Sequence, residues 1–181
     1  MSGYYTIHDP LIERVLLTEE EIADICVRLG ARITEDYRGK DLVLVSLLRG
    51  SLVFLADLSR RVELDVKLDF MAISSYGSAE TVRIVKDLDE DVSGKHVLVV
   101  EDIVDTGLTL HYLLGVLAGR SPASLAVCTL LDRRARRIAD VPIVYRGIEI
   151  PDVFVVGYGI DLGGRYRNLP YVAVVREEVM G

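Results

Sequence analysis

Cysteine is scarce in this sequence. Two occur in 181 residues, Cys26 and Cys128. One falls on a predicted helix and the other in a predicted strand, so two buried thiols are expected rather than a disulfide. Long apolar runs are also lacking. Half of the residues are hydrophobic, yet charges interrupt every run before it reaches membrane-spanning length. The opening stretch, Met1 to Leu17, has no basic segment followed by an apolar one, so no secretory signal is expected. With neither a span nor a leader, the expected location is the cytoplasm. Internal repeats, low-complexity tracts and Pro/Ser-rich linkers are absent from the sequence. Positive charge is in deficit: 21 Lys and Arg stand against 28 Asp and Glu, for a net charge of −7. With a pI near 5.0, that argues against a general nucleic-acid binder. A mean hydropathy of +0.31 excludes a disordered chain. The length suits one domain with a full core.

What is there reads as strands alternating with helices. Thr18 followed by Glu21 forms a capping box, and Ile22, Ile25, Cys26, Leu29 and Ile33 repeat at helical spacing, so 19–37 is predicted helical. "DLVLVSLL" (41–48) is a continuously apolar strand, and 51–62 is a predicted helix. Residues 64–76 read as a strand and 83–89 as a returning hairpin arm. Strands are expected at 96–100, 124–131, 152–160 and 171–177, with a helix over 108–119. Apolar strands interleaved with helices imply a mostly parallel sheet flanked by helices on both faces. Ligands of such sheets bind beyond the carboxyl ends of the strands. Arg49, Glu101 and Arg133 all fall at or just past a predicted strand end, where they can converge.

The stretch "VLVVEDIVDTGLTL" (97–110) carries the chemistry. An apolar strand runs into Glu101 and Asp102, then into Asp105, Thr106, Gly107, Leu108 and Thr109 at the start of a helix. Free N–H groups at a helix start, with the Thr106 and Thr109 hydroxyls, form a phosphate cradle. Gly107 allows close backbone approach. Glu101 and Asp102 repel phosphate but suit a sugar diol or a hydrated Mg²⁺. Cradle and clamp together describe a ribose 5-phosphate site. The bland alternative is a surface turn whose Asp105 and Thr109 merely cap the helix. It suffices for an isolated Asp-x-Thr-Gly and fails for the whole stretch.

Residues 97–109 resemble the diphosphate-sugar signature of the phosphoribosyltransferase family, whose substrate is 5-phosphoribosyl 1-pyrophosphate (PRPP), used with Mg²⁺. Asp at 105 resembles the members that act on 6-oxopurines. Glu101-Asp102 is closer to their hypoxanthine-guanine type than to the bacterial xanthine-guanine type. The resemblance continues through "SLLRGS" (46–51), "SSYG" (74–77), "EIPDVFVVGYGID" (149–161) and "RYRNLPYVAVV" (165–175). It implies a type I phosphoribosyltransferase-like fold in a single domain, 1–181. The core would span about 15–140, with a small hood from about 1–14 and 141–181. It implies transfer of the phosphoribosyl group to N9 of hypoxanthine or guanine, giving IMP or GMP and pyrophosphate. It also implies a homodimer or homotetramer.

Carried over residue by residue, the resemblance makes Glu101, Asp102, Asp105, Thr106, Gly107, Leu108 and Thr109 the PRPP- and phosphate-binding stretch. Asp105 is the base or hydrogen-bond partner at purine N7. Arg49 and Gly50 form the pyrophosphate loop, with Arg where many relatives have Lys, and the peptide before Arg49 can be cis in the family. Arg167 serves the same pyrophosphate. Ser75 and Tyr76 belong to a mobile loop that covers it. Phe154 stacks on the purine and the Val155 backbone meets its C2 edge. Asp161 lies by the base and pyrophosphate as a metal position, alongside Glu101 and Asp102. Leu162 stands where some relatives have an aromatic residue. The main departure is Arg133, where relatives usually have Lys donating to purine O6. It opens "RRARR" (133–137), of which Arg134, Arg136 and Arg137 are expected to be solvated. Two alternatives remain open in the sequence. One is a non-catalytic regulator sensing PRPP or nucleotides, the other a xanthine-preferring relative. The intact Asp105, Ser75 and Tyr76, and a length with no room for a winged helix, weigh against the regulator.

Overall fold

The computed structural model describes residues 9–76 and 81–176. In chain order the elements are β1 (Ile12–Leu17), α1 (Glu19–Asp36), β2 (Leu42–Leu48), α2 (Leu52–Ser59), β3 (Lys67–Tyr76) and β4 (Thr81–Lys86). There follow β5 (His96–Val104), α3 (Leu108–Ala118), β6 (Ser124–Asp132), a 3₁₀ turn (Arg134–Arg136), β7 (Ile143–Glu149), β8 (Val155–Val156) and β9 (Val172–Val175). Six strands form the main sheet in the order β4-β3-β2-β5-β6-β7. All neighbours are parallel except the β3–β4 hairpin.

Both faces of this sheet are dry, which is why its strands read as unbroken apolar runs rather than alternating ones. Leu42, Leu44, Leu98, Val100, Cys128 and Leu130 pack on one side against α1 and α2, through Ile22, Leu29, Ile33, Phe54 and Leu58. Their sequence neighbours Val43, Val45, Val97, Val99 and Val127 pack on the other side against Leu110, Leu113 and Leu117 of α3. The period of two along each strand thus serves two cores at once. The capping box that starts α1 is present: Glu21 N donates to Thr18 Oγ1 at 3.2 Å and Thr18 N to Glu21 Oε2 at 2.8 Å. Both cysteines are buried and free. Among the described residues, no helix is long and apolar enough to cross a membrane.

A smaller antiparallel sheet, β1-β9-β8, stands beside the main one. It joins the α1–α2 core through Leu17, Val155, Val172 and Val174. On its other side Phe154, Leu162, Tyr166 and Tyr171 pack on Val156, Ala173 and Val175. The expected boundary of a hood at 141 is displaced, because residues 143–149 form β7, the edge strand of the main sheet. The strand expected over 152–160 shrinks to two residues. Gly157 (φ +100°) and Gly159 (φ +98°), with Tyr158 (φ +51°) between them, turn the chain back on itself. Strand β5 is longer than expected. Its pairing with β6 runs on to Val104↔Asp132, so Glu101 and Asp102 lie inside the strand rather than past its end. Arg49 and Arg133 do directly follow β2 and β6.

Candidate active site

At the carboxyl edge of the main sheet, four segments meet. The β2–α2 connection begins with a cis Leu48–Arg49 peptide. Arg49 is exposed. Gly50 is wedged against β5, where a Cβ would collide with Asp102 Oδ2 and would lie 3.6 Å from Arg167 Nη1. A Cβ on Gly159 would in turn collide with the Gly50 carbonyl. Arg167 closes this corner by donating from Nη1 to Gly159 O at 2.6 Å and pairing through Nη2 with Asp161 Oδ1 at 2.6 Å. Asp161 Oδ2 accepts from Gly164 N at 2.7 Å. Arg49, Gly50, Asp102, Asp161 and Arg167, widely separated in sequence, therefore share one corner.

The two acids of β5 are buried, Glu101 to 8% exposure and Asp102 to 9%. Burial, reinforced by the charge of Asp102, holds the Glu101 carboxyl well above the usual carboxylate range, against the pull of the Leu47 amide. Burial pushes Asp102 up to about 6, although the Ile103 amide (2.8 Å from Oδ1) and Arg167 favour its ionised form. Among the described residues, Glu101 Oε1 has no hydrogen-bond partner. Two raised, half-satisfied carboxyls at a sheet edge are what a cation or a diol would complete. Among the described residues no three His, Cys, Asp or Glu side chains form a metal-sized cluster. The acids can thus supply one or two ligands, which suits an ion that fills its shell with water and substrate oxygens.

Beyond Asp102 the chain turns into α3. Its N-cap is Gly107 in the left-handed region (φ +79°), and no side chain caps the helix. Asp105 therefore does not act as a helix cap. Thr106 Oγ1 accepts only a long bond from Leu108 N, 3.4 Å. A cavity of about 160 Å³ lies here, lined by Leu47, Glu101, Asp105, Thr106, Gly107 and Thr109 among others. Leu108 points outward and is 53% exposed. It contributes its backbone rather than its side chain.

Arg133 is buried, with 6% exposure, and is not part of a solvated run. Its Nη2 lies 3.1 Å from Asp105 Oδ2, and its Nη1 donates to Val153 O at 2.8 Å. Among the described residues, Asp105 Oδ1 and Arg133 Nε are buried without partners. Val155 is buried in β8, and the carbonyl of the half-buried Phe154 accepts from Val175 N at 2.9 Å. Thus Asp105, Arg133 and the 153–155 segment meet at one place. Arg134 is exposed, and Arg136 sits on the surface against Asp152. Arg137 departs from expectation. It is tucked under the acid turn and pairs with Asp132, a carboxylate 1% exposed that also holds Arg146 Nε at 2.7 Å. The one sequence signal for this network is an acid ending an apolar strand just before a basic run. The Ser75 and Tyr76 backbones lie in β3, while their side chains and residues 77–80 lie outside the described residues. A larger cavity of about 460 Å³ lies between α1, α2 and residues 158–170, and shares only Arg167 with the groups above.

Residues 15–162 match the phosphoribosyl transferase domain family. Curated relatives include the hypoxanthine phosphoribosyltransferase of Escherichia coli (strain K12). It is 53% identical over 167 residues, covering 89% of this chain and 94% of the relative. The hypoxanthine-guanine phosphoribosyltransferase of Staphylococcus aureus (strain N315) is 48% identical over 177 residues, covering 96% and 98%. Among solved structures, a hypoxanthine phosphoribosyltransferase from Staphylococcus aureus matches with a TM-score of 0.93 at 46% identity, over 99% of this chain and 100% of that one.

Proposed function

The chain belongs to the phosphoribosyltransferase family. We propose that it works in purine salvage, moving the 5-phosphoribosyl group of PRPP to N9 of hypoxanthine or guanine and releasing IMP or GMP and pyrophosphate. The observation that carries this reading is the pairing of half-buried Asp105 with buried Arg133 beside the α3 cavity. A PRPP sensor has no use for an acceptor and a donor side by side at the base position. A 6-oxopurine that carries its proton on N7 presents an N7–H donor beside the O6 acceptor and leaves N9 free to attack, and this acceptor–donor pair matches that edge.

In the reaction the bond from ribose C1 to pyrophosphate breaks, the leaving group takes the electron pair, and N9 supplies the pair for the new bond. Positive charge grows on the ribose and negative charge on pyrophosphate. Arg49 and Arg167, with the Gly50 amide, neutralise the leaving group. The amides and hydroxyls from Thr106 to Thr109 hold the 5-phosphate, and Glu101 and Asp102 hold the ribose diol. Asp105 takes the proton that the base loses from N7, through Oδ1, which has no partner among the described residues. Arg133 donates to O6, and Phe154 and the Val155 backbone hold the ring and its C2 edge. Ser75 and Tyr76 cover pyrophosphate and exclude water. The acids fit Mg²⁺ by their hardness: one or two at a time of Glu101, Asp102 and Asp161 would hold it, with substrate oxygens and water filling the rest of its shell. When bound, it would neutralise pyrophosphate and raise its quality as a leaving group. The enzyme would act as a homodimer or homotetramer, which light scattering would read directly.

The test is product formation from PRPP with hypoxanthine, guanine, xanthine and adenine in turn, with Mg²⁺ and with chelator. Turnover of the first two, lost with chelator, is expected. Turnover of xanthine in preference to both would move the chain to the xanthine type. No turnover of any base, with PRPP still bound, would leave the sensor reading standing.

A further inference from the structure

Three consecutive carbonyls of the acid turn are held from one side. Val104 O accepts from Arg133 N at 3.0 Å and from Arg137 Nη2 at 3.1 Å. Asp105 O accepts from Arg137 Nε at 2.9 Å. Thr106 O accepts from Ile138 N at 2.9 Å and Ala139 N at 3.0 Å. In a planar trans peptide the C=O and the following N–H point in opposite directions. Residues 133–139 hold these three carbonyls and so turn the amides of Asp105, Thr106 and Gly107 away from themselves. None of residues 133–139 lines the α3 cavity, whereas Asp105, Thr106 and Gly107 do.

Within this brace Arg137 is the one side chain, and it is itself fixed. Asp132, buried at the end of β6, pairs with it and with Arg146. The stem of Arg137 occupies the space that Gly107 leaves, since a Cβ there would lie 3.0 Å from Arg137 Cδ. The geometry points to Arg137 as a positioning residue for the transfer: clamped by Asp132, it aims the amides of the turn at the 5-phosphate and holds the Asp105 backbone at the base. This rests on the phosphoribosyl reading. It gives the last arginine of "RRARR" a task on the ribose-phosphate side and none on the pyrophosphate side, where Arg49 and Arg167 stand.

The asymmetry supplies the test. Binding of IMP and, separately, of magnesium pyrophosphate is measured by calorimetry for the wild type, Arg137→Met, Arg137→Lys and Arg134→Met. Methionine keeps the stem beside Gly107 without the donors. Lysine keeps the charge and three donors but presents them from one atom, without the separated Nε and Nη2 that reach Asp105 O, Val104 O and Asp132. Lost charge-assisted bonds of this kind should weaken IMP by about tenfold or more in Arg137→Met. Arg137→Lys should fall between, Arg134→Met should match the wild type, and pyrophosphate should bind all four within about twofold, by the same arithmetic. IMP affinity unchanged in Arg137→Met would overturn the inference. So would equal losses of IMP and pyrophosphate, because they would make Arg137 a general fold residue. A wild type that binds neither ligand would sink the phosphoribosyl reading itself.

Discussion

The two oxygens of Asp105 have different company: Oδ2 faces Arg133 at 3.1 Å, and Oδ1 is buried without a partner among the described residues. The first fixes the carboxylate, and under the proposed function the second is the oxygen that would accept the proton. Asp105→Asn keeps size and hydrogen-bonding shape but not basicity. Turnover should fall by about 10²–10⁴-fold with little change in PRPP affinity; near-normal turnover in steady-state assays would remove Asp105 from the chemistry. Arg133 is tested against its neighbour. Arg133→Met should impair use of both hypoxanthine and guanine while leaving PRPP binding intact, whereas Arg136→Met, on the surface with Asp152, should behave as wild type. The same donor should reject adenine by about 10⁴-fold or more, because its 6-amino group meets a donor and leaves buried groups unpaired. Equal, small effects of the two methionine variants would leave Arg133 a structural residue with no part in base recognition. In sequence the four arginines of 133–137 look alike. Resemblance singled out Arg133, but nothing local distinguished Arg137. Its burial is set by where the Asp132 carboxylate points, and that is a tertiary fact.

At the scale of elements, strongly periodic segments were legible and weakly periodic ones were not. Helix α1 and strand β2 fall where pattern and capping chemistry predict them. Strand β7 was missed because it is an edge strand with mixed exposure along "IVYRGIE", and β1 for the same reason along "IERVLL". The strand predicted over 152–160 failed for the opposite cause: its residues are apolar enough, but two glycines in the left-handed region turn it into a loop. That loop has a purpose, since Gly159 packs directly on the Gly50 carbonyl. Gly159→Ala should therefore act twice. It forces an L side chain to φ +98° and drives a Cβ into the pyrophosphate loop. Stability should fall by about 1 kcal/mol or more, read as a lower midpoint in thermal unfolding. Competitive inhibition by pyrophosphate should weaken in parallel. A variant that melts like the wild type and keeps its pyrophosphate affinity would show that the two loops do not depend on this contact.

For the molecule as a whole, the site is costly to fold. The six-stranded sheet buries apolar side chains on both faces, and near the carboxyl end of β5 it also buries two acids whose ionised forms burial disfavours. A fold built for stability alone would not bury Glu101 with an oxygen that has no partner among the described residues. Their placement makes sense if a ligand supplies the missing partners, so stability and substrate binding are linked. The double variant Glu101→Gln, Asp102→Asn keeps size, and the amide oxygen it introduces at position 102 can still accept from the Ile103 N–H. In chelator, without PRPP, it should unfold at a higher temperature than the wild type, by about 1–3 kcal/mol of added stability, because two carboxyls whose raised pKa values cost stability at neutral pH are gone. Adding PRPP with Mg²⁺ should reverse the order of benefit. At about 100-fold over its dissociation constant a ligand adds roughly 2.7 kcal/mol to the protein that binds it, so the wild-type midpoint should rise while the double variant scarcely moves. The two halves of the experiment separate the explanations. If the double variant is no more stable in chelator, burial of the acids is compensated within the protein. If it gains as much from PRPP and Mg²⁺ as the wild type does, the acids belong to the sheet and not to the substrate.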